Sequence, residues 1–449
     1  MFPFAGLSIT APAVPGEYEA KSELQAHSFG VRALTFALWV TIVLSTLEGP
    51  VRYTLSQIHL DSIIFLRDAL LVAALVIFVV LREHTSKLPV SLAVFTILMG
   101  IHSFVSYMNI HSLIPAVYGI KMFLPALCGF LAPKSFFRPS QNLIKLVTVL
   151  WIITVTGATL DKFWLDYPWV GLNVEFGDVE VYLGRDWQSG ALERVAGLTR
   201  SSINLAIILP LLTCILMTAV KSRLLRAILC FATVCVLYWS TQKGAILGFA
   251  FALVCFVLSR PQAAAPLKFA VVFSIMLMVF APTVLIHFEM PKNSGTFSFE
   301  SFNERISWMW PDAWTWIGKF SPLMGVGMGG IGGAQRFYAP LERNAADSLF
   351  IFLFANCGIA SIFYLLATGW AALNANVRRL RDDGIAMTGL IFLLMYGVVV
   401  TLVEDQIGAM WLGAALGWLS HTQYPTRSSL VKIKITAQSA ISKTQQINR

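Results

Sequence analysis

Apolar stretches of about 17 to 25 residues recur along the whole chain, each long enough to cross roughly 30 Å of hydrocarbon as a helix. Short polar segments separate them. The predicted spans are 33–47, 62–81, 88–107, 112–132, 142–160, 203–220, 227–241, 244–259, 268–287, 347–373, 385–403 and 408–420. The run 227–259 is broken only by "STQKG" at 240–244. As one helix it would extend about 50 Å, too long for a single crossing, so a hairpin turning at Gln242–Gly244 is expected. The expected fold class is all-α: a polytopic membrane protein with about twelve transmembrane helices and two larger loops on its outer side.

Charge then orients the chain. "REHTSK" (82–87), "PKSFFRPSQNLIK" (133–145), "KSRLLR" (221–226), "RPQAAAPLK" (260–268) and "NVRRLRDD" (376–383) are short basic loops, and every second loop is basic. The positive-inside bias assigns these loops and both termini to the cytoplasm. The larger hydrophilic segments, about 161–202 and 288–346, then lie outside, where short amphipathic helices on the membrane are expected. Trp308, Trp310, Trp314 and Trp316 suit such an interface. Residues 1–30 lack a long apolar core and a cleavage pattern, and read as a cytoplasmic leader before an uncleaved first span. Residues 31–424 form one transmembrane domain, and 425–449 a basic tail suited to anionic lipid.

Composition agrees. The chain is 57% hydrophobic and 13% charged, with a mean hydropathy of +0.70, which excludes a soluble globule. The net charge of +9 belongs mainly to the cytoplasmic loops and is no nucleic-acid signal. Six cysteines fall inside apolar runs without paired spacing and read as small hydrophobes.

Cations on the outer side run against the bias and ask for a reason. They are Arg52, Lys162, Arg185, Arg194, Arg200, Lys243, Lys292, Arg305, Lys319, Arg336 and Arg343. Singly, each could pair with an acid such as Asp178, Glu193 or Glu342, or be solvated. Gathered around one cavity, they would suit a phosphate or pyrophosphate through bidentate charge-assisted hydrogen bonds. They could also stabilise charge developing on a pyrophosphate leaving group. Within the spans, Lys121 could reach the same pocket or pair with Asp68, and Arg67 could snorkel. Among the outer acids, Asp347 and Glu304 are the candidate bases for taking a proton from a hydroxyl. Helix capping is the alternative for Asp347, which precedes an apolar run.

Four stretches resemble the O-antigen ligase and polymerase superfamily of bacterial envelopes. "RVAGLTRSSINLAIILP" (194–210) is similar to an Arg-x-x-Gly segment leading through Asn into a helix, and "STQKGAILGFAFAL" (240–253) to a Ser-Arg-Gly hairpin turn. "NERISWMWPDAWTWIGKFSPLMGVGMGG" (303–330) is similar to an arginine-tryptophan stretch ending in Pro-Leu-x-Gly-x-Gly, and "NAADSLFIFLFANCGIASIFYLL" (344–366) to a segment that often reads His-Asn-x-x-Leu. The resemblance implies glycan transfer from undecaprenyl pyrophosphate to a sugar hydroxyl on the periplasmic face of a bacterial inner membrane, with no metal and no cofactor. It implies that Arg194 and Arg305 grip the pyrophosphate together with the cation at Lys243; Arg200 and Arg336 are the further candidates among the outer cations. Lys243 stands where the family usually has arginine. Asn344 to Asp347 stand where ligases carry a histidine. That departure favours a polymerase of exopolysaccharide, capsule or O-antigen over a ligase acting on lipid A-core. The expected partners are a lipid-linked oligosaccharide, the membrane, a flippase and a chain-length regulator. A flippase or transporter of lipid-linked sugar is the rival reading, although the unusual polar groups concentrate in two unequal loops rather than at the midplane.

Overall fold

The computed structural model describes residues 15–60, 65–83, 90–137, 140–176, 179–185, 188–189, 192–259, 264–288, 299–375, 377 and 380–423. The whole predicted tail, residues 1–14 of the predicted leader, and Asp61, Asp178, Asp186, Glu289 and Lys292 lie outside the described residues.

The first half contains helices α1 (Pro15–Thr46), α2 (Glu48–Gln57), α3 (Leu66–Glu83), α4 (Val90–Ile110), α5 (Leu113–Phe130) and α6 (Gln141–Phe163). There follow α7 (Ser202–Ala219), α8 (Arg223–Trp239), α9 (Lys243–Leu258), α10 (Ala265–Val284), α11 (Glu300–Glu304) and α12 (Trp310–Ile317). The last are α13 (Leu349–Cys357), α14 (Ala360–Asn374), α15 (Leu380–Tyr396) and α16 (Gln406–Gln423). Among the described residues, six helices contain windows long and apolar enough to cross a membrane: Phe29–Thr46, Leu92–Ile110, Leu113–Phe130, Gln141–Phe163, Ser202–Ala219 and Ala265–Val284. Three shorter apolar helical segments, Lys243–Leu258, Ala360–Asn374 and Gly384–Tyr396, accompany them.

Local chemistry sets several helix starts. Ser140, Ser201 and Ser222 each accept a hydrogen bond from the amide three residues on, at the N-caps of α6, α7 and α8. Helix α7 is apolar all round because it is buried all round, with neighbours α6, α8, α15 and α16. The expected hairpin is present: α8 ends at Trp239, Thr241 takes a left-handed φ of 56°, and Lys243 opens α9.

Helices α5 and α16 approach closely through small residues. A Cβ on Gly413 would lie 1.9 Å from the Ala126 carbonyl oxygen, and one on Gly417 would lie 2.2 Å from that of Phe130. This Gly-x-x-x-Gly spacing lets two backbones touch, where packing rather than hydrophobicity drives association in lipid. Gly413→Val should therefore splay the pair and lower the melting temperature of the detergent-purified protein; an unchanged melting curve would refute this packing.

Three expectations need correction. The stretch predicted as one span at 347–373 is two helices, broken at Gly358 with φ 57°. A side chain there would meet the Leu323 carbonyl oxygen at 2.4 Å, because the loop after Ser321 packs into the gap, with Val326 N donating to Ala355 O at 2.7 Å. The span predicted to reach 403 stops at Tyr396, since residues 397–405 leave the helix and turn inward as a mostly buried, irregular segment. The first long loop holds no amphipathic helix among its described residues. It carries the antiparallel pairs β1 (Asn173–Phe176) with β2 (Val179–Tyr182), and β3 (Gln188–Ser189) with β4 (Leu192–Glu193).

The second long loop does form a helical run, 300–317, but most of its tryptophans turn inward. Trp310 is fully buried, Trp314 Nε1 donates to Pro282 O at 2.7 Å, and Trp316 Nε1 donates to Gly330 O at 2.9 Å. Only Trp308 of the four is exposed. The indole N–H groups of Trp314 and Trp316 find backbone acceptors inside the protein, which fixes the run against α10 and the glycine loop.

Candidate functional site

Both long loops, the start of α3, the N-terminal half of α5 and the irregular segment 397–405 converge at one end of the bundle. They enclose a cavity of 560 Å³, a size within the range of roughly 300–1,000 Å³ typical of ligand sites. Its wall is unusually charged for a membrane protein. Arg52, Arg67, Lys121, Arg185, Arg200, Arg336 and Arg343 face Glu48, Asp68, Asp347, Glu404 and Asp405 across it.

One wall is built on Glu48. Its carboxylate pairs with Arg52 and, at 3.2 Å, with Arg67, whose Nη1 also donates to Ser45 Oγ at 2.9 Å. Arg67 thus faces the cavity rather than snorkelling away. Burial raises the Glu48 pKa, but Arg52, Arg67 and Arg200 overcome that and hold it at about 2. Lys121 does pair with Asp68, at 2.8 Å, and Asp68 also accepts from Gln406.

The first long loop delivers Arg185, Arg194 and Arg200. Asp161, near the end of α6, accepts hydrogen bonds from the amides of Ala196 (3.0 Å) and Gly197 (2.7 Å), and Gly49 N donates to Leu198 O at 3.0 Å. These contacts fold the strand-to-helix connection back onto the bundle. Arg200 then points into the cavity with no carboxylate within salt-bridge distance among the described residues, and its Nε is buried without an acceptor. Burial, then the neighbouring Arg52 and Arg185, lower its pKa. A guanidinium keeps its proton in proteins, so this shift expresses an unmet demand for negative charge rather than neutralisation.

A second group of cations stands beside Asp347. Arg305 Nη2 donates to Asp347 Oδ2 at 2.8 Å, with the two side chains 15% and 24% exposed. Its Nη1 donates to Ser301 O at 2.6 Å. Arg305 begins a π-helical turn, Arg305–Met309, in which the Trp310 amide bonds to the Arg305 carbonyl. Pro311 has no amide to offer the α-helical ladder just beyond, and π turns of this kind recur at functional sites. Arg194 lies close enough to feel Arg305: burial, then Arg305, lower its pKa, while Asp347 and Glu304 oppose. Lys243 opens α9 near Arg194 and Glu300.

Asp347 is held under strain. Ala346 and Asp347 have φ of 61° and 37°, sparsely populated by side-chain-bearing residues. Asn344 locks this kink: its Oδ1 accepts from Ala346 N at 2.7 Å, and its Nδ2 donates to Met309 O at 2.8 Å. The alternative of Asp347 as a helix cap is not realised. Ser348 is the N-cap of α13, and the Asp347 carboxylate reaches Arg305 instead.

Of the expected residues, Arg200, Arg336 and Asp347 line the cavity. Arg305 reaches its edge through Asp347, and Arg194 and Lys243 stand behind that pair. Glu304 is exposed and does not line the cavity. Lys162 and Lys319 stand apart, Lys319 lying 4.7 Å over the Trp316 ring. The alternative of outer cations pairing with Glu193 or Glu342 is not realised among the described residues.

Sequence reasoning passed over Tyr118 and gave no role to Glu404 and Asp405. Tyr118 lies under Arg336, its ring centre 5.2 Å from the guanidinium carbon. Glu404 Oε1 accepts from Gly333 N at 2.7 Å; burial raises its pKa, opposed by that bond and by Arg185. Glu404 is accessible from the cavity but otherwise surrounded by protein. The apolar "GVVVTLVEDQ" run conceals both acids, because its inward turn has no period of its own. Among the described residues, no three His, Cys, Asp or Glu side chains gather as a metal site would require.

Comparison with curated proteins and with solved structures finds no match. Residues 228–366 match the family described as O-antigen ligase. The matched segment runs from α8 into α14 and contains Lys243, the π turn with Arg305, the glycine loop, Arg336 and Asp347. The chain's similarity to the O-antigen ligase family is carried by this segment, which also helps to close the charged cavity.

Proposed function

We propose that the protein is a polysaccharide polymerase that moves a growing glycan from undecaprenyl pyrophosphate to the non-reducing end of a lipid-linked repeat unit. The observation that carries this reading is the Arg305–Asp347 pair, which puts a candidate base and a candidate diphosphate clamp in direct contact at the cavity edge. The reaction would take place on the periplasmic face. Asp347 takes the proton from the acceptor hydroxyl, and that oxygen forms the new bond at the anomeric carbon. The bond from that carbon to the diphosphate oxygen breaks on the opposite side, inverting the linkage. Arg305, with Arg194 and Lys243 behind it, stabilises the charge arriving on the lipid diphosphate. No metal enters this scheme.

Polymerase is favoured over ligase because no histidine lines the cavity among the described residues. At the place where ligases are expected to carry one, Asn344 serves as a structural bracket.

Arg194→Ala should lower polymer formation about tenfold or more while single repeat units accumulate on lipid, as removal of one transition-state donor does elsewhere. Arg194→Lys should restore only part, since ammonium lacks the guanidinium fork. Gel analysis of polymer and lipid-linked intermediates at equal expression reads both; normal polymer in Arg194→Ala would refute the clamp.

A further inference from the structure

The cavity extends well beyond the Arg305–Asp347 pair, and the transfer reaction as written leaves its far wall without work. There Arg200 and Arg336 line the cavity together with the more exposed Arg343, and none has a carboxylate within salt-bridge distance among the described residues. Arg336 makes one long contact, Nη2 to Tyr118 Oη at 3.4 Å, and lies over the rings of Tyr118 and Phe337 at 5.2 and 4.8 Å. A guanidinium held partly out of water without a direct anionic partner, as Arg200 is, gains when an anion completes it.

We propose that this wall is the subsite for an acidic sugar of the acceptor glycan, one carrying a carboxylate or a phosphate ester, whose charge is read by Arg200, Arg336 and Arg343. The inference rests on the transfer reading above and names the class of acceptor.

Three features favour an acidic sugar over a second lipid diphosphate. Glu404 and Asp405 share the wall. Their oxygens can accept hydrogen bonds from hydroxyls, which a sugar carries and a diphosphate lacks. Tyr118 and Phe337 stand with ring centres 5.5 Å apart and line the cavity around Arg336, which sets apolar surface for a pyranose next to a cation. Asp347 lies between the two groups of cations, lining the cavity on one side and holding Arg305 on the other. A sugar seated on the far wall would therefore bring its hydroxyl toward the candidate base while the diphosphate stays at Arg305. A neutral sugar would leave the far guanidiniums unpaired.

The test is saturation-transfer NMR on the full chain in detergent, with methyl glucuronide, glucose 6-phosphate and methyl glucoside as probes and inorganic pyrophosphate as competitor. The expected result is saturable binding of one or both acidic sugars at least tenfold tighter than the glucoside, little displaced by pyrophosphate. Arg200→Gln and Arg336→Gln should each abolish that preference, and Arg194→Gln should keep it. Which acidic sugar binds identifies the anion. The competition uses the native protein, so it stands even if a variant fails to fold. Equal binding of acidic and neutral sugars, binding of none of them, or full displacement by pyrophosphate would each overturn the proposal. Because no turnover is required, such a failure leaves the polymer assay of Arg194→Ala as an independent test of the transfer reading.

Discussion

Asp347→Asn is expected to lower polymer formation by about 10²–10⁴-fold, the usual contribution of a positioned general base. The substitution preserves size and can still accept a hydrogen bond from Arg305, so the pair's geometry at 2.8 Å need not collapse. What it removes is the capacity to take up the acceptor proton. The strained backbone at Ala346 and Asp347, bracketed by Asn344, should survive, because those contacts involve neither carboxylate oxygen. Glu304→Gln is the matched control. That side chain is exposed and away from the cavity wall, and the variant should retain most activity. Polymer length and yield, with the lipid-linked repeat unit as the complementary readout, decide the matter. Full activity in Asp347→Asn would remove it as the base, and a large loss in Glu304→Gln would transfer the role there.

The second large effect concerns stability. Glu48→Ala should destabilise the protein by about 3–5 kcal/mol, the cost of leaving buried charges without their partner. Glu48 is 5% exposed and serves Arg52 and Arg67 at once, with Arg200 also drawing on its charge. Its removal would leave three guanidiniums crowded on one wall. The pH dependence has a definite sign. Since the folded carboxyl titrates at about 2 instead of near 4.5, its contribution is complete above about pH 4.5 and is withdrawn as pH falls toward 2. Melting temperature in detergent, followed from pH 7 downward, should fall through that window in the wild type and less steeply in Glu48→Ala. A variant that melts like the wild type at neutral pH would show that the arginines find other compensation.

The two predictions probe different parts of one arrangement. Asp347 belongs to the segment that matches the O-antigen ligase family, whereas Glu48, Arg67 and Arg200 lie before it in the chain. The family-matched segment thus supplies the candidate chemistry, and the preceding helices and first loop supply much of the charged wall. Lys268 makes a related point at the other end of the bundle. Its Nζ donates to Leu373 O at 2.9 Å, joining the start of α10 to the end of α14, as basic loops on a common side would require.

Hydrophobic length and basic-loop parity were enough, from sequence alone, to point to a helical membrane protein and the α8–α9 turn, and Lys121, left open between the pocket and Asp68, does both. These features are local, or follow from the cost of placing polar groups in hydrocarbon, so they leave a mark on the linear pattern. The motif residues Arg305 and Asp347 were legible as well, though not their contact. Tertiary structure decided the rest. It broke one predicted helix at Gly358 where a loop needed the space, and it turned the run after Tyr396 inward to carry Glu404 and Asp405 to the cavity. It also divided the outer cations between a wall beside Asp347 and a wall around Arg200. The physical reason is that charges interact through space: Glu48 and Arg200 are far apart along the chain, and only packing brings them close enough to set each other's energies.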